Sequence, residues 1–372
     1  MRRLLLVGGG HTHLGVLKML ATQPIAGWAV TLVSESSRQI YSGMLPGWIA
    51  GRYSIDECSI PLSDLAARAH ATFHAAKITR LSLEDGKVTT ADGRSFGFDL
   101  LSIDSGSEPA IGGIAGAAAH ALSIRPIEAF VAAWPAVVER WKHRDTVIEL
   151  AIVGSGAAAV ELAFSVQHRA AVEGLAQVHV TLIGRESRPL EGFAPAAVER
   201  VVRLLRRRGI AWRGGSEVTR IASGRLSTAH GVSLPSDTCL LATGAAAPRW
   251  PGAAGLDSDD QGFIRVDRTL RSVSDSRVFA AGDVAALKDA RPKSGVFAVR
   301  AAPVLGHNLA AACGQGSASE WTPQRYALYL LSTGDGRAIA AWRAWSATGR
   351  WVWTCKDRID RGFVRRFRGS SR

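Results

Sequence analysis

One pattern occurs twice in this chain and limits its fold more than any other feature. It is an apolar run, a glycine turn, a stretch with helical spacing, and a second apolar run. The first copy begins LLLVGGGHTHLGVLKML at residues 4–20 and reaches a strand at 29–33. The second begins LAIVGSGAAAVELA at 150–163, continues as a helix to about residue 170, and reaches a strand at 178–183. Each unit spans roughly 30 residues, the size of a strand–helix–strand crossover between parallel strands. One such motif is weak evidence, but two in the right order predict an α/β fold. The expected architecture is two Rossmann-like dinucleotide-binding domains and a small C-terminal region.

The intervening sequence fills in this plan. Residues 76–83 and 87–90 read as a hairpin around Glu84-Asp85-Gly86, and 99–103 as a short buried strand leading to Ser105-Gly106-Ser107. An alanine-rich helix at 126–143 links the two units. A basic helix at 196–208 and strands at 237–241 and 277–280 follow. The last two end in Ala242-Thr243-Gly244 and Ala281-Gly282-Asp283. From about residue 320 the chain turns rich in tryptophan and arginine, with a hairpin turn at Gly334-Asp335-Gly336.

The turns carry the chemistry. Gly8 permits a tight turn, and Gly10 lets backbone approach a pyrophosphate. The helix beginning there presents its amides to the phosphates. His13 stands where G-x-G-x-x-G has its third glycine, so the helix sits farther from the strand or the ring turns outward. His11 and His13 add donors near the pyrophosphate or serve local packing. Glu35, or Ser34 in the usual register, ends the next strand as the ribose ligand. In the second unit Gly154 and Gly156 are followed by Ala159, an accepted third residue. No acid ends its next strand; Arg185, with Arg188 nearby, suits a 2′-phosphate, and Glu186 is the alternative ribose ligand. Gly282-Asp283 sets a carboxylate at a sheet edge where ligands bind in such folds. Ser294 reads as the N-cap of a helix at 296–309, whose N-terminal partial charge suits a developing anion.

Together these strings resemble the FAD-dependent pyridine nucleotide oxidoreductases over residues 1–310. GGGHTH, YSGMLPGWIAGRYSIDECSIPL, LSIDSGSEPA and KSGVFAVRAAPVLGHNL narrow the resemblance to a subgroup like type II NADH dehydrogenases. Some of its members form the N-terminal part of selenide, water dikinase fusion proteins. The resemblance implies an FAD domain from residues 1–125 and 246–315, an NAD(P)H domain at 145–245, and a C-terminal hairpin and basic helix at 316–372. It implies FAD held by Gly8, Gly10, Glu35 and Asp283, with Ser42 and Gly43 near the isoalloxazine; His11, Gly106, Gly244 and Gly282 are further cofactor-binding candidates. Gly154, Gly156 and Arg185 fall in the NAD(P)H half. Glu161, near the nicotinamide or in a helix ion pair, and Lys293 are the catalytic candidates. The expected reaction is hydride transfer from NAD(P)H to flavin, then electron transfer to a quinone or other acceptor. A selenium-linked reductase and a non-catalytic sensing flavoprotein are the alternatives.

Composition decides among acceptors and partners. Cys58, Cys239, Cys313 and Cys355 form no C-x-x-C or C-x-x-x-x-C pair, which argues against a disulfide relay and against a metal knuckle. Cys58 alone is a structural thiol or a redox one. The net charge of +13 invites acidic partners, although no nucleic-acid module is recognisable. Arg2 and Arg3 precede an apolar stretch too short for a signal peptide, and no run suits a spanning helix. The basic charge peaks at the C-terminus. There Val352, Cys355, Ile359, Phe363 and Phe367 follow Trp351 at helical spacing among Lys356, Arg358, Arg361, Arg365, Arg366 and Arg368. Such a helix lies on an anionic membrane or docks on the protein's own core. The expected location is cytoplasmic, peripheral on the cytoplasmic face of the inner membrane, and a homodimer is compatible with these patterns. The quinone reading lacks one support: Val299-Arg300-Ala301-Ala302-Pro303 contains none of the glutamines the resemblance implies there.

Overall fold

The structure is a computed structural model that describes residues 1–289 and 291–369. Residue 290, within the expected FAD segment, and 370–372, the end of the expected C-terminal region, lie outside the described residues. Two five-stranded parallel sheets form the frame. The first takes strands Val278–Ala280, Leu100–Ile103, Arg2–Val7, Trp28–Ser34 and Thr72–Ala75, in that spatial order. The second takes Leu122–Ser123, Thr238–Leu241, Ile148–Val153, Val178–Ile183 and Ala211–Arg213. Leu4–Val7 and Leu150–Val153 are buried without alternation, as strands covered by helices on both faces must be.

The two halves also repeat beyond their sheets. Each carries a three-stranded antiparallel sheet, Ile78–Ser82 with Lys87–Thr90 and Ser95–Gly97 in one, and Val218–Ala222 with Arg225–Thr228 and Ser233–Pro235 in the other. The second of these, like the edge strands Thr72–Ala75 and Ala211–Arg213, has too few apolar residues to stand out in sequence. One expected boundary shifts. Leu122–Ser123 pairs with Leu240 and Leu241, so the chain joins the second sheet before residue 125. The crossover helix Ile127–Lys142 then covers that sheet, burying Phe130, Trp134, Val137, Val138 and Trp141.

The helix His11–Leu20 packs closely on Gly295–Ala312. A Cβ on Gly15 would stand 2.4 Å from Ala302 Cβ. The close approach usually secured by a third glycine is thus made at Gly15, toward a helix rather than a strand.

The C-terminal strands Tyr329–Ser332, Ala338–Trp342 and Trp345–Gly349 form an antiparallel sheet crossed by the helix Arg350–Arg368. This helix docks on the protein itself. Val352, Phe363, Val364 and Phe367 are buried, each stabilising by about 1.5–3 kcal/mol. The stripe expected to meet a membrane is therefore divided: Trp351, Cys355 and Ile359 face outward, and Val352, Phe363 and Phe367 face the core. Lys356, expected on the solvated basic face, is 6% exposed. Among the described residues, no helix is long and apolar enough to cross a membrane.

Candidate active site

Parallel sheets bind ligands at the carboxyl ends of their strands. Here both sets of strand ends open into one cleft of about 2160 Å³. That is at least twice the volume of an ordinary small-molecule pocket, and suits two long ligands. All fifteen candidates border it: Gly8, Gly10, His11, Glu35, Ser42, Gly43, Gly106, Gly154, Gly156, Glu161, Arg185, Gly244, Gly282, Asp283 and Lys293.

The first glycine turn is tighter than a phosphate loop requires. Gly8 has φ +92°, and a Cβ there would meet the Asp104 carbonyl oxygen at 2.3 Å. A Cβ on Gly10 would meet the Asp104 carboxylate at 2.4 Å. This carboxylate, which the sequence reading missed, accepts the amide hydrogens of Thr12 at 2.8 Å and His13 at 2.9 Å. Two of the helix amides expected to point at phosphate are thus occupied by Asp104. Burial raises the Asp104 pKa to about 6 despite these bonds.

His13 corrects a second expectation. Its ring does not turn outward. It is fully buried, with Nδ1 2.6 Å from the Gly8 carbonyl oxygen and Nε2 2.8 Å from Ser102 Oγ. Only one tautomer fits: Nδ1–H donates to Gly8, and Nε2 accepts from Ser102. Burial lowers its pKa to about 4, so the ring is neutral and fastens the turn to the neighbouring strand.

Asp283 also has a partner absent from the sequence reading. Arg125, just before Pro126, donates to it at 3.1 Å and to Ser107. Arg125 leaves the edge of the second sheet, whereas Asp283 ends a strand of the first, so the pair spans the two halves. Glu35 pairs with Lys77 at 3.3 Å at the rim. Lys293 donates to the Ala285 carbonyl at 2.5 Å and lies over the Phe263 ring, 3.8 Å from its centroid. Those contacts make it a support for the Gly282–Val284 turn. A catalytic role has no geometric backing.

In the second turn, Gly154 has φ +142° and its Cβ would meet the Ala242 carbonyl oxygen at 2.4 Å, whereas Gly156 faces open space. Glu186 folds back to accept from Ser155 and pairs with Arg185 at 3.1 Å. A carboxylate and a guanidinium thus both stand at the ribose end. Position 184 is closed to any side chain, because a Cβ would lie 2.8 Å from both Ser155 and Trp212.

Between the halves, Glu161 meets the C-terminal region. Its carboxylate accepts the Ser332 amide hydrogen at 2.7 Å. Burial raises its pKa to about 7, opposed by the Lys356 charge and the Ser332 amide. Lys356 donates to Asp360 at 2.7 Å and to the Gly43 carbonyl at 2.7 Å. Tyr41 bonds to Asp360, and burial with that nearby charge raises the Tyr41 pKa. Nothing in the sequence separates Lys356 and Asp360 from the helix's surface charges. The 356/360 spacing marks an ion pair, and only the docked helix shows that it is buried.

Cys58 is fully buried, and burial raises its pKa to about 12. Its thiol is therefore protonated at neutral pH and a poor nucleophile.

The donor set suits FAD. Gly8 and Gly10 border the cleft, and the missing side chains make room for Asp104 behind the turn. His11 Nε2 and Thr243 Oγ1 are buried polar atoms in the cleft wall without hydrogen-bond partners among the described residues. Fold and cleft define a flavoprotein with two dinucleotide sites. The chain belongs to the pyridine nucleotide-disulphide oxidoreductase family, whose model matches residues 2–302. It is 24% identical over 309 residues to an NADH dehydrogenase-like protein of Mycobacterium tuberculosis, covering 77% of this chain and 74% of that one. It is 24% identical over 358 residues to an alternative NAD(P)H-ubiquinone oxidoreductase of Arabidopsis thaliana, covering 83% and 67%. The sulfide:quinone oxidoreductase of Aquifex aeolicus shares the fold, with a TM-score of 0.81 at 18% identity over 98% of this chain and 91% of that one. The protein is a flavin-dependent NAD(P)H dehydrogenase.

Proposed function

We propose that this chain passes electrons from NAD(P)H to a quinone. The observation that carries this is the apolar end of the cleft. There the C-terminal region adds Leu328, Leu330, Ile359 and Phe363 to the cleft wall, and Phe363 packs on His11 beside the first glycine turn. The ubiquinone named for the Arabidopsis relative supports the same acceptor class. FAD bound here would supply the hydride-accepting and electron-relaying chemistry. The chain supplies the rest. Gly8, Gly10, His11 and Asp283 bind the flavin, with Ser42 and Gly43 beside its ring. Gly154 and Gly156 admit the nicotinamide nucleotide, with Arg185 and Glu186 at its ribose. Glu161 holds a proton at its carboxyl beside the reacting end. A pKa of about 7 lets it give or take a proton near neutral pH.

Anaerobic mixing with NADH or NADPH tests the first half. Bleaching of the yellow protein by either is expected; no bleaching by both would leave only a binding role. Reoxidation by a soluble quinone tests the second half. The strings GGGHTH and KSGVFAVRAAPVLGHNL carry a second reading, the selenide-linked subgroup with a selenium-containing acceptor. Reoxidation by such a compound but not by quinone favours it.

Glu161 also gives a pH prediction. Its folded pKa lies above the ordinary carboxyl value, so the folded state binds the extra proton. That stabilisation is full below pH about 4.5 and is lost as pH rises through about 7. In Glu161→Gln, the decline of stability between pH 5 and 8 should be shallower in urea melts. An unchanged slope contradicts the assignment.

A quinone acceptor fits a protein that works at a bilayer surface, which here would be the cytoplasmic face of the inner membrane. With half of the helix stripe turned to the core, the hairpin tip is the stronger candidate contact. Trp342 and Trp345 pair across the strands, so both side chains point to one face, and they are 45% and 50% exposed. Arg343 at the turn lies over the Trp342 and Tyr326 rings. Asp335 is the one acid between residues 321 and 356, and it sits at the opposite end of the hairpin. Aromatic rings with arginines and no acid suit an anionic interface. Trp342→Ser with Trp345→Ser should weaken sedimentation with anionic vesicles about tenfold, or about 1.4 kcal/mol. Equal binding refutes the assignment. Association of purified protein with its own kind in place of vesicles would point instead to a homodimer surface.

A further inference from the structure

His11 and His13 follow the first glycine turn, and the dehydrogenase reaction does not use Asp104. The structure joins all three. Asp104 ends the strand Leu100–Ile103 and is 2% exposed. Its carboxylate lies on the Thr12 and His13 amides, where the helix end attracts an anion. The same carboxylate fills the hollow over Gly10, and a Cβ on Gly282 would meet it at 2.4 Å. The flavin turn, the helix start and the Gly-Asp turn therefore all close around one internal anion.

His11 stands beside it. Its Nε2 is buried in the cleft wall without a partner among the described residues. Its ring packs on Tyr41, Phe363 and Gly295. Burial lowers its pKa, while Asp104 and Asp283 raise it. The charged groups facing this pair are few: Asp283 from the Gly-Asp turn, and Arg125, whose charge is spent on Asp283. His13 is neutral and committed to Gly8 and Ser102. Among the described residues, no cation is paired with Asp104.

A dinucleotide pyrophosphate brings two negative charges to this turn. Seated at Gly8 and Gly10, it would stand next to the buried Asp104 carboxylate, where like charges repel strongly. We propose that Asp104 and His11 form a proton site within the flavin pocket, so that FAD binds together with one proton. The proton comes from solvent and rests on the Asp104 carboxyl or on the neighbouring His11 imidazole, which interact through their charges. The pair then carries one negative charge without FAD and none with it. No bond to the flavin is made or broken. The proposal rests on FAD as the cofactor.

The test is FAD binding to flavin-stripped protein, measured calorimetrically at pH 7.5 in two buffers of different ionisation enthalpy. Uptake of close to one proton is expected, with Kd rising about tenfold per pH unit above pH 7. Asp104→Asn keeps an acceptor for the amides but fixes the charge at zero. It should bind FAD with no proton uptake and a nearly pH-independent Kd. His11→Gln leaves Asp104 to carry the proton, so uptake should persist. Wild-type binding without proton uptake overturns the proposal, whether or not Asp104→Asn folds. So does undiminished uptake by a folded Asp104→Asn. A wild-type protein that binds no FAD at all overturns the cofactor itself, a separate outcome.

Discussion

Lys356→Met is expected to destabilise the protein by about 3–5 kcal/mol, because it leaves the Asp360 carboxylate buried and unpaired. The two side chains are 7% and 6% exposed and 2.7 Å apart. Burial already raises the Asp360 pKa, with Lys356 as the largest opposing influence. Without that ammonium the carboxyl protonates or draws water into the helix seam. Lys356 also donates to the Gly43 carbonyl, so its loss frees the Tyr41–Gly43 turn beside the expected isoalloxazine. Pairing the change with Asp360→Leu should restore much of the stability, since an apolar pair can replace a buried ion pair at little cost. Urea denaturation of the two single variants and the double variant decides it. Additive losses would show that the pair is not coupled. Folded Lys356→Met should also move the pH dependence of flavin reduction upward, because Lys356 is the main influence holding the Glu161 pKa down.

This pair shows where sequence reading stops. Both glycine turns were legible, because continuous apolar strands, short glycine runs and helical spacing follow from local rules. The ladder between Arg2–Val7 and Trp28–Ser34, and that between Ile148–Val153 and Val178–Ile183, match the expected units closely. Long-range choices were not legible. Lys356 and Asp360 look like surface charges until the helix is seen to dock. Asp104 reads as the end of a strand, and only the parallel pairing Val7↔Ile103 carries it over the first turn. Leu122–Ser123 changes sheets because two residues hold too little pattern to declare a partner. The His13 puzzle has the same cause: its ring bonds to Ser102, 89 positions away.

Gly8→Ala should yield a colourless protein, and Gly156→Ala a yellow one that NAD(P)H bleaches poorly. Gly8 is the first glycine of its turn and Gly156 the second of its own, and their surroundings differ accordingly. At Gly8 a methyl group meets the Asp104 carbonyl oxygen at 2.3 Å, and the backbone has φ +92°. The left-handed backbone alone costs alanine about 1–2 kcal/mol, and the clash is with backbone that cannot rotate away. Opening the turn also breaks the His13 contact with the Gly8 carbonyl, so FAD loses its seat, and affinity should fall by more than about 100-fold, or about 2.7 kcal/mol. At Gly156 the same methyl group meets nothing within 4 Å, and φ is −78°. The fold tolerates it, and FAD should remain bound. The methyl projects into the space where a nicotinamide nucleotide would approach the helix start, so its effect should fall on KM for NAD(P)H. Flavin content after purification and stopped-flow bleaching separate the two. A Gly156→Ala protein that loses flavin, or one whose KM is unchanged, would place the nicotinamide nucleotide elsewhere in the cleft.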